Sequence, residues 1–212
     1  TAVTQEANGS CTMINSTVTG ATNSGIANCV GTADDDVWFR FTATSSTAII
    51  NRTTTGGWDS GIEIFASTGA APGSCIGASL GCQDAESSFI VPGLTVGMNY
   101  YVRVYTSSAN FSPSNGAFTL CITSPPAGTI VMANGSTTAC SGTFYDPGYN
   151  TNYGNSLTRV FTICPSTAGS RLRVIFSSFQ TENTSDVLQI FDGNSTGATL
   201  LGTYSGTTPP GT

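Results

Sequence analysis

The stretch "NYYVRVYTS" (Asn99–Ser107) decides the fold class. In an extended chain successive side chains point to opposite faces, so Tyr100, Val102 and Val104 share one face while Tyr101, Arg103 and Tyr105 share the other. The first face reads as core and the second as amphipathic surface. The same period of two returns in "RLRVIFSSF", where Leu172, Val174 and Phe176 oppose Arg171 and Arg173, the pattern of an antiparallel strand wet on one side. Further runs of strand length, "DVWFRFTA", "TAIINRTT", "SGIEIFAS", "GAFTLCIT" and "DVLQIFDG", are rich in β-branched and aromatic residues, and none holds a helical period. The expectation is an all-β chain built from packed antiparallel sheets.

At 212 residues the chain is long enough for one large all-β domain or two smaller ones. The best boundary is "TSPPAGT" (Thr123–Thr129), because Pro-Pro cannot continue a central strand. Dividing there gives domains at 1–124 and 125–212. Charged residues make up 8%, far below the ~25% of an ordinary soluble domain. All basic residues are arginines, and lysine and histidine are absent. A net charge of −6 repels phosphate backbones and anionic lipid, so nucleic acid is not an expected partner. No run of about 18 apolar residues occurs, so membrane insertion is not expected either. Seven cysteines without a Cys-x-x-Cys pair and without histidine suit disulfides better than zinc, which places the chain in an extracellular or cell-surface location. The opening "TAVTQEANGS" has neither a basic start nor an apolar run and lacks Met, so a leader has been removed or the segment belongs to a longer polypeptide.

Without histidine or lysine, a Ser-His-Asp or Cys-His site, a Schiff-base lysine and a P-loop are excluded in this chain. Only carboxylate chemistry remains. Asp34, Asp35 and Asp36 stand in a row before the strand with Trp38 and Phe39. Adjacent residues of an extended segment alternate sides, so at most two of these acids face one point. A solvated strand entry with one aspartate capping loop amides is preferred, a calcium site is second and catalysis third. Trp58, flanked by glycines, and the series Tyr145, Tyr149, Tyr153 offer stacking area for a carbohydrate or protein ligand, with packing as the default role. Seven N-x-S/T sequons, among them Asn8 and Asn183, are what chance gives in so Ser-, Thr- and Asn-rich a chain.

The ordered series "ADDDVWFRFTATSSTAII", "GWDSGIEIFAS", "SCIGASLGCQDA", "LTVGMNYYVRVYTS" and "GAFTLCI" resembles the pre-peptidase C-terminal (PPC) family, a β-sandwich of secreted bacterial proteins whose members are usually non-catalytic. In the second half, "YDPGY" and "FSSFQTENTSDVLQIFDG" resemble a CUB domain, an antiparallel sandwich used for binding outside the cell. A complete CUB domain continues past Thr212, which implies either a truncated chain or a sheet completed by another segment. The first resemblance points to bacteria with type IX secretion.

The CUB resemblance implies a Cys140–Cys164 disulfide. Pairing Cys75 with Cys82 and Cys11 with Cys29 then leaves Cys121 unpaired, with a missing upstream partner preferred over a buried free thiol. It also implies calcium held through Glu182 and Asp186 with a third ligand beyond Thr212. The loop between them is shorter than in calcium-binding members, so an unoccupied loop is preferred over a partial calcium site, and no cofactor is required.

The expected fold is therefore two tandem antiparallel, jelly-roll-like β-sandwiches, the second incomplete. The expected function is a non-catalytic extracellular structural or adhesive segment of a larger bacterial surface or secreted protein, in a filament, with self-association or neighbouring domains of the same polypeptide as partners. The alternative is an accessory region of a secreted peptidase or glycoside hydrolase that captures substrate or assists secretion.

Overall fold

The structure, a computed structural model, describes residues 1–32, 35–69, 76–84, 88–108, 116–149, 152–153 and 156–211. It is all-β, with no helix among the described residues and so none long and apolar enough to cross a membrane. The chain divides into two compact units: unit 1 is Thr1–Val131 with Thr143–Ser156, and unit 2 is Met132–Gly142 with Leu157–Thr212.

Unit 1 is built from β1 (Gln5–Glu6), β2 (Ile14–Thr17), β3 (Asp36–Thr42), β4 (Thr47–Thr54), β5 (Ser60–Ser67), β6 (Ile76–Asp84), β7 (Ser88–Pro92), β8 (Asn99–Thr106) and β9 (Ala117–Thr123). One sheet runs β3-β8-β5-β6, all antiparallel. The other runs β1-β9-β4-β7, with β2 also paired to β9. Two short elements, β10 (Thr129–Val131) and β12 (Thr143–Tyr145), pair in parallel within the same unit.

The inner faces carry the core. Phe39 and Phe41 from β3, Ile62 and Ile64 from β5, Val102 and Val104 from β8, and Ile50, Leu120 and Ile122 from the opposing sheet are all buried in one cluster. These are the positions the alternation assigns, because a period of two puts every second residue on the same face of a pleated strand. The outward face of β8 departs from the expectation. Arg103 and Tyr105, expected at a wet surface, are both 0% exposed, because residues 18–32 cross that face as a strap.

Unit 2 contains β11 (Gly135–Ala139) paired in parallel with β13 (Phe161–Pro165), and β14 (Leu188–Asp192) paired with β15 (Thr199–Tyr204) as a bulged antiparallel hairpin. These sheets are not closed. The segment Arg171–Phe176, expected as a strand, has no ladder partner among the described residues. Its side chains accordingly stay in solvent: Leu172 is 42%, Val174 45% and Ile175 65% exposed. The expected all-antiparallel pairing also fails at β1/β9, β10/β12 and β11/β13, which are parallel.

Candidate functional site

The largest concentration of buried charge lies on the outward face of the first sheet of unit 1. Register sets it: Trp38 on β3, Arg103 on β8, Glu63 on β5 and Cys82 on β6 stand in one cross-strand row. Arg103 Nε donates to Asp36 Oδ2 at 2.9 Å, and Nη2 lies 2.9 Å from the same oxygen. Its guanidinium stacks 4.6 Å from the Tyr105 ring centroid and 5.8 Å from that of Trp38. A planar, weakly hydrated cation suits such a site better than an ammonium would.

The strap closes over this row through polar contacts. Ser24 donates to Asp36 Oδ2 from its amide (3.2 Å) and its hydroxyl (2.6 Å), Arg103 Nη1 donates to the Ala27 carbonyl (3.4 Å), and the Tyr105 hydroxyl donates to the Val30 carbonyl (3.0 Å). The Cys29–Cys82 disulfide ties the strap to β6. Gly61 lies under the Tyr105 ring, and a Cβ there would fall inside it, so only glycine lets the ring lie flat on β5.

Glu63 completes the row at a distance. Its Oε2 is 3.8 Å from Arg103 Nη1 and has no hydrogen-bond partner among the described residues. Loss of hydration pushes its carboxyl above the usual range, with the Ser79 hydroxyl and the Arg103 charge opposing the shift. Desolvation likewise raises the Tyr105 phenol, with its hydrogen bond to Val30 opposing. The arrangement neutralises charge inside the protein beneath the strap.

The aspartate triplet belongs to this structure. Asp35 and Asp36 are each 7% exposed, so the expected solvated strand entry is corrected for both. Asp35 Oδ1 accepts from the Thr106 amide (3.2 Å) and hydroxyl (2.7 Å), and Asp36 accepts from Arg103, Ser24 and the Trp38 indole (2.9 Å). Both acids are buried because β3 begins where the strap and β8 converge. Asp34 lies outside the described residues. Trp58 is 7% exposed, packs edge-on against Phe118 and donates to the Ala117 carbonyl. Of the two readings of Trp58, packing and an exposed stacking surface, the structure shows packing, with the indole N–H satisfied at the first residue of β9. Tyr145 and Tyr149 are half-buried and meet edge to face at 4.7 Å.

The cysteines pair differently from the expected scheme. Cys121, expected to be unpaired, bonds Cys11, and Cys29 bonds Cys82. The reason is topological. β1 and β2 both pair with β9, so the connection between them carries Cys11 against that strand. The strap carries Cys29 to β6. Cys140 and Cys164, expected as a pair, are free thiols. Cys164 stands opposite Thr138 in the β11/β13 ladder, two residues short of Cys140. Cys75 lies outside the described residues.

In unit 2, Glu182 and Asp186 sit in one turn, closed by the Asp186 amide donating to the Glu182 carbonyl (3.1 Å). The Thr181 hydroxyl donates to the Asp186 carbonyl and accepts from the Gly206 amide. Among the described residues no three Asp, Glu, Cys or His side chains come together as a metal set. Two carboxylates fall short of the six to eight oxygens that calcium takes. A separate open cleft of about 260 Å³ in unit 1 is lined by Asn8, Ser45, Thr47, Ser124, Pro125 and Pro126 among others, without a charged group.

Sequence reasoning missed Arg103 and Glu63. The signal was present as one arginine inside "YYVRVY" and one glutamate inside "SGIEIF", lone charges in apolar strands of a chain with little charge.

Residues 2–120 match the family described as galactose binding domain-like, in its type IX secretion-associated form, and residues 133–212 match the CUB domain. The first match spans more than half of the chain, which therefore belongs to that family. The pre-peptidase C-terminal resemblance holds at the level of a β-sandwich in a type IX secretion setting, and the CUB resemblance holds by name. Both families are typically non-catalytic. Together with the disulfides they establish an extracellular or cell-surface location. The crystal structure of Aeromonas hydrophila PliG, a periplasmic inhibitor of g-type lysozyme, is 15% identical over 57% of this chain and 96% of that one, with a TM-score of 0.32. A likeness that low carries no argument about this chain.

Proposed function

We propose that this chain is a non-catalytic structural segment of an extracellular bacterial protein, and that it works by associating with copies of itself. One observation carries the reading. Apart from Pro210, every buried apolar side chain among the described residues belongs to unit 1, while unit 2 leaves Leu172, Val174, Ile175, Val187, Leu200 and Leu201 between 42% and 65% exposed. Large exposed apolar surface on a folded chain is a mark of protein interaction, so these side chains favour a protein partner. The buried Arg103 row supports the same reading, since its acids are consumed in holding the strap. Light scattering on the full chain tests the proposal: average mass should climb with concentration, and a constant monomer mass up to millimolar concentration contradicts it.

A second reading, an accessory region that captures substrate for a secreted hydrolase, is favoured by the uncharged, hydroxyl-rich cleft beside Pro125 and Pro126, whose chemistry suits a neutral carbohydrate. Titration with neutral oligosaccharides, followed by chemical-shift changes at Ser45, Thr47 and Ser124, tests it. Calcium at the Glu182–Asp186 turn is a further proposal, supported by two hard oxygen ligands in one turn. A calcium-dependent rise in melting temperature that Glu182→Gln abolishes would support it.

A further inference from the structure

The first sheet of unit 1 ends at β6, whose outer edge has no ladder partner among the described residues. The strand is nine residues long, its middle residues are exposed, and Leu80 is 45% exposed. A long open edge with an apolar side chain is a template for another strand. Unit 2 holds a segment with the complementary properties. Arg171–Phe176 alternates basic and apolar residues, lacks a ladder partner among the described residues and keeps Ile175 65% exposed.

Charge separates the two surfaces. Unit 1 contains nine carboxylates and three arginines and so carries the whole formal charge of −6, while unit 2 has three of each. Arg52 and Arg103 are buried in unit 1, as are Asp35, Asp36 and Glu63, so its surface stays acidic. Asp84, at the end of β6 opposite Gly61, is exposed, and so is Asp59 just before β5.

We propose that residues 171–176 of one copy add to β6 of a second copy as an antiparallel fifth strand, an inference that rests on the self-association reading above. One register satisfies charge and burial together. Arg171 opposite Asp84 sets Arg173 opposite Cys82, on the outward face, and Leu172 opposite Gln83 on the inward face. Val174 then meets Gly81, against which the Phe89 ring packs on the inward side, and Ile175 meets Leu80. Cross-strand pairs of opposite charge and of apolar side chains are the ones that stabilise a ladder. The two surfaces differ, so the contact is head to tail and grows open chains rather than closed dimers.

The test is sedimentation velocity on the full chain across a concentration series in low and high salt, with circular dichroism confirming that each variant keeps its β signal. Wild-type chains should lengthen with concentration and shorten in salt. Asp84→Arg alone, or Arg171→Asp with Arg173→Asp, should weaken association at least about tenfold. Mixing the two variant chains should restore assembly, because each mixed contact pairs opposite charges. Assembly that survives both variants, or that mixing does not restore, overturns this contact while leaving self-association standing. A chain that stays monomeric throughout overturns both, including the case in which the segment covers β6 of its own chain.

Discussion

The two units treat the same residue types in opposite ways. Unit 1 buries Arg103 completely, together with Tyr105 and the carboxylates of Asp36 and Glu63, while unit 2 leaves isoleucine, leucine and valine in solvent. Burial follows ladder completeness more closely than residue type. In unit 1 three neighbouring strands and a disulfide-tied strap surround a cation with a carboxylate, a carbonyl and two aromatic rings, so its desolvation is offset. In unit 2 the alternating segment 171–176 has no ladder partner among the described residues, and Leu172 and Val174 on its apolar face stay exposed while Phe176 packs against Phe179. The first unit holds a packed interior, and the second leaves apolar side chains in solvent.

The comparison breaks most directly at Arg103. Arg103→Leu leaves Asp36 buried without its cation and should cost about 3–5 kcal/mol in urea unfolding, whereas Arg173→Leu should change stability by no more than about 0.5 kcal/mol. Equal effects at the two positions would remove the contrast. The next effect belongs to the Cys11–Cys121 bridge, which closes 110 residues and ties β9 to the segment between β1 and β2. Cys11→Ser with Cys121→Ser should cost about 2–4 kcal/mol, read from the denaturant midpoint of unit 1.

A smaller effect sharpens the electrostatics. The Glu63 carboxyl is raised in the folded state, so the folded chain keeps a proton that the unfolded chain releases. That contribution is fully present below the ordinary carboxyl range and is lost as pH rises from there through the raised value. Glu63→Gln should therefore flatten the fall in stability as pH rises above the ordinary carboxyl range. An unchanged slope would show that burial does not control this group. The smallest effect is expected at Ile175→Ser, within about 0.5 kcal/mol at micromolar concentration, because the side chain is already wet.

Much of unit 1 was legible in sequence because its strands alternate strictly. Phe39 and Phe41, Ile62 and Ile64, and Val102 and Val104 fall on the inner face as their spacing dictates. The outer face was not legible, since nothing local shows that residues 18–32, which form neither helix nor strand, will lie across β8. For the same reason Arg103 read as solvent-facing and Asp36 as part of a solvated entry. The disulfides were misread because pairing is decided by which strands become neighbours. Cys11 and Cys121 are distant in sequence and adjacent only because β1 and β2 flank β9. Trp58 read as a loop residue on its glycine neighbours, whereas its indole is anchored by the Ala117 carbonyl, a contact between segments far apart in the chain.

Hydrogen exchange on the full chain at low and high protein concentration addresses the contrast between the units most directly. Amides of β8 and β9 should be strongly protected at both concentrations, while amides of residues 171–176 should exchange freely when dilute and become protected when concentrated. Equal, strong protection of 171–176 in dilute solution would mean that unit 2 is complete in the single chain, and the account of it as a surface awaiting a neighbour would be wrong.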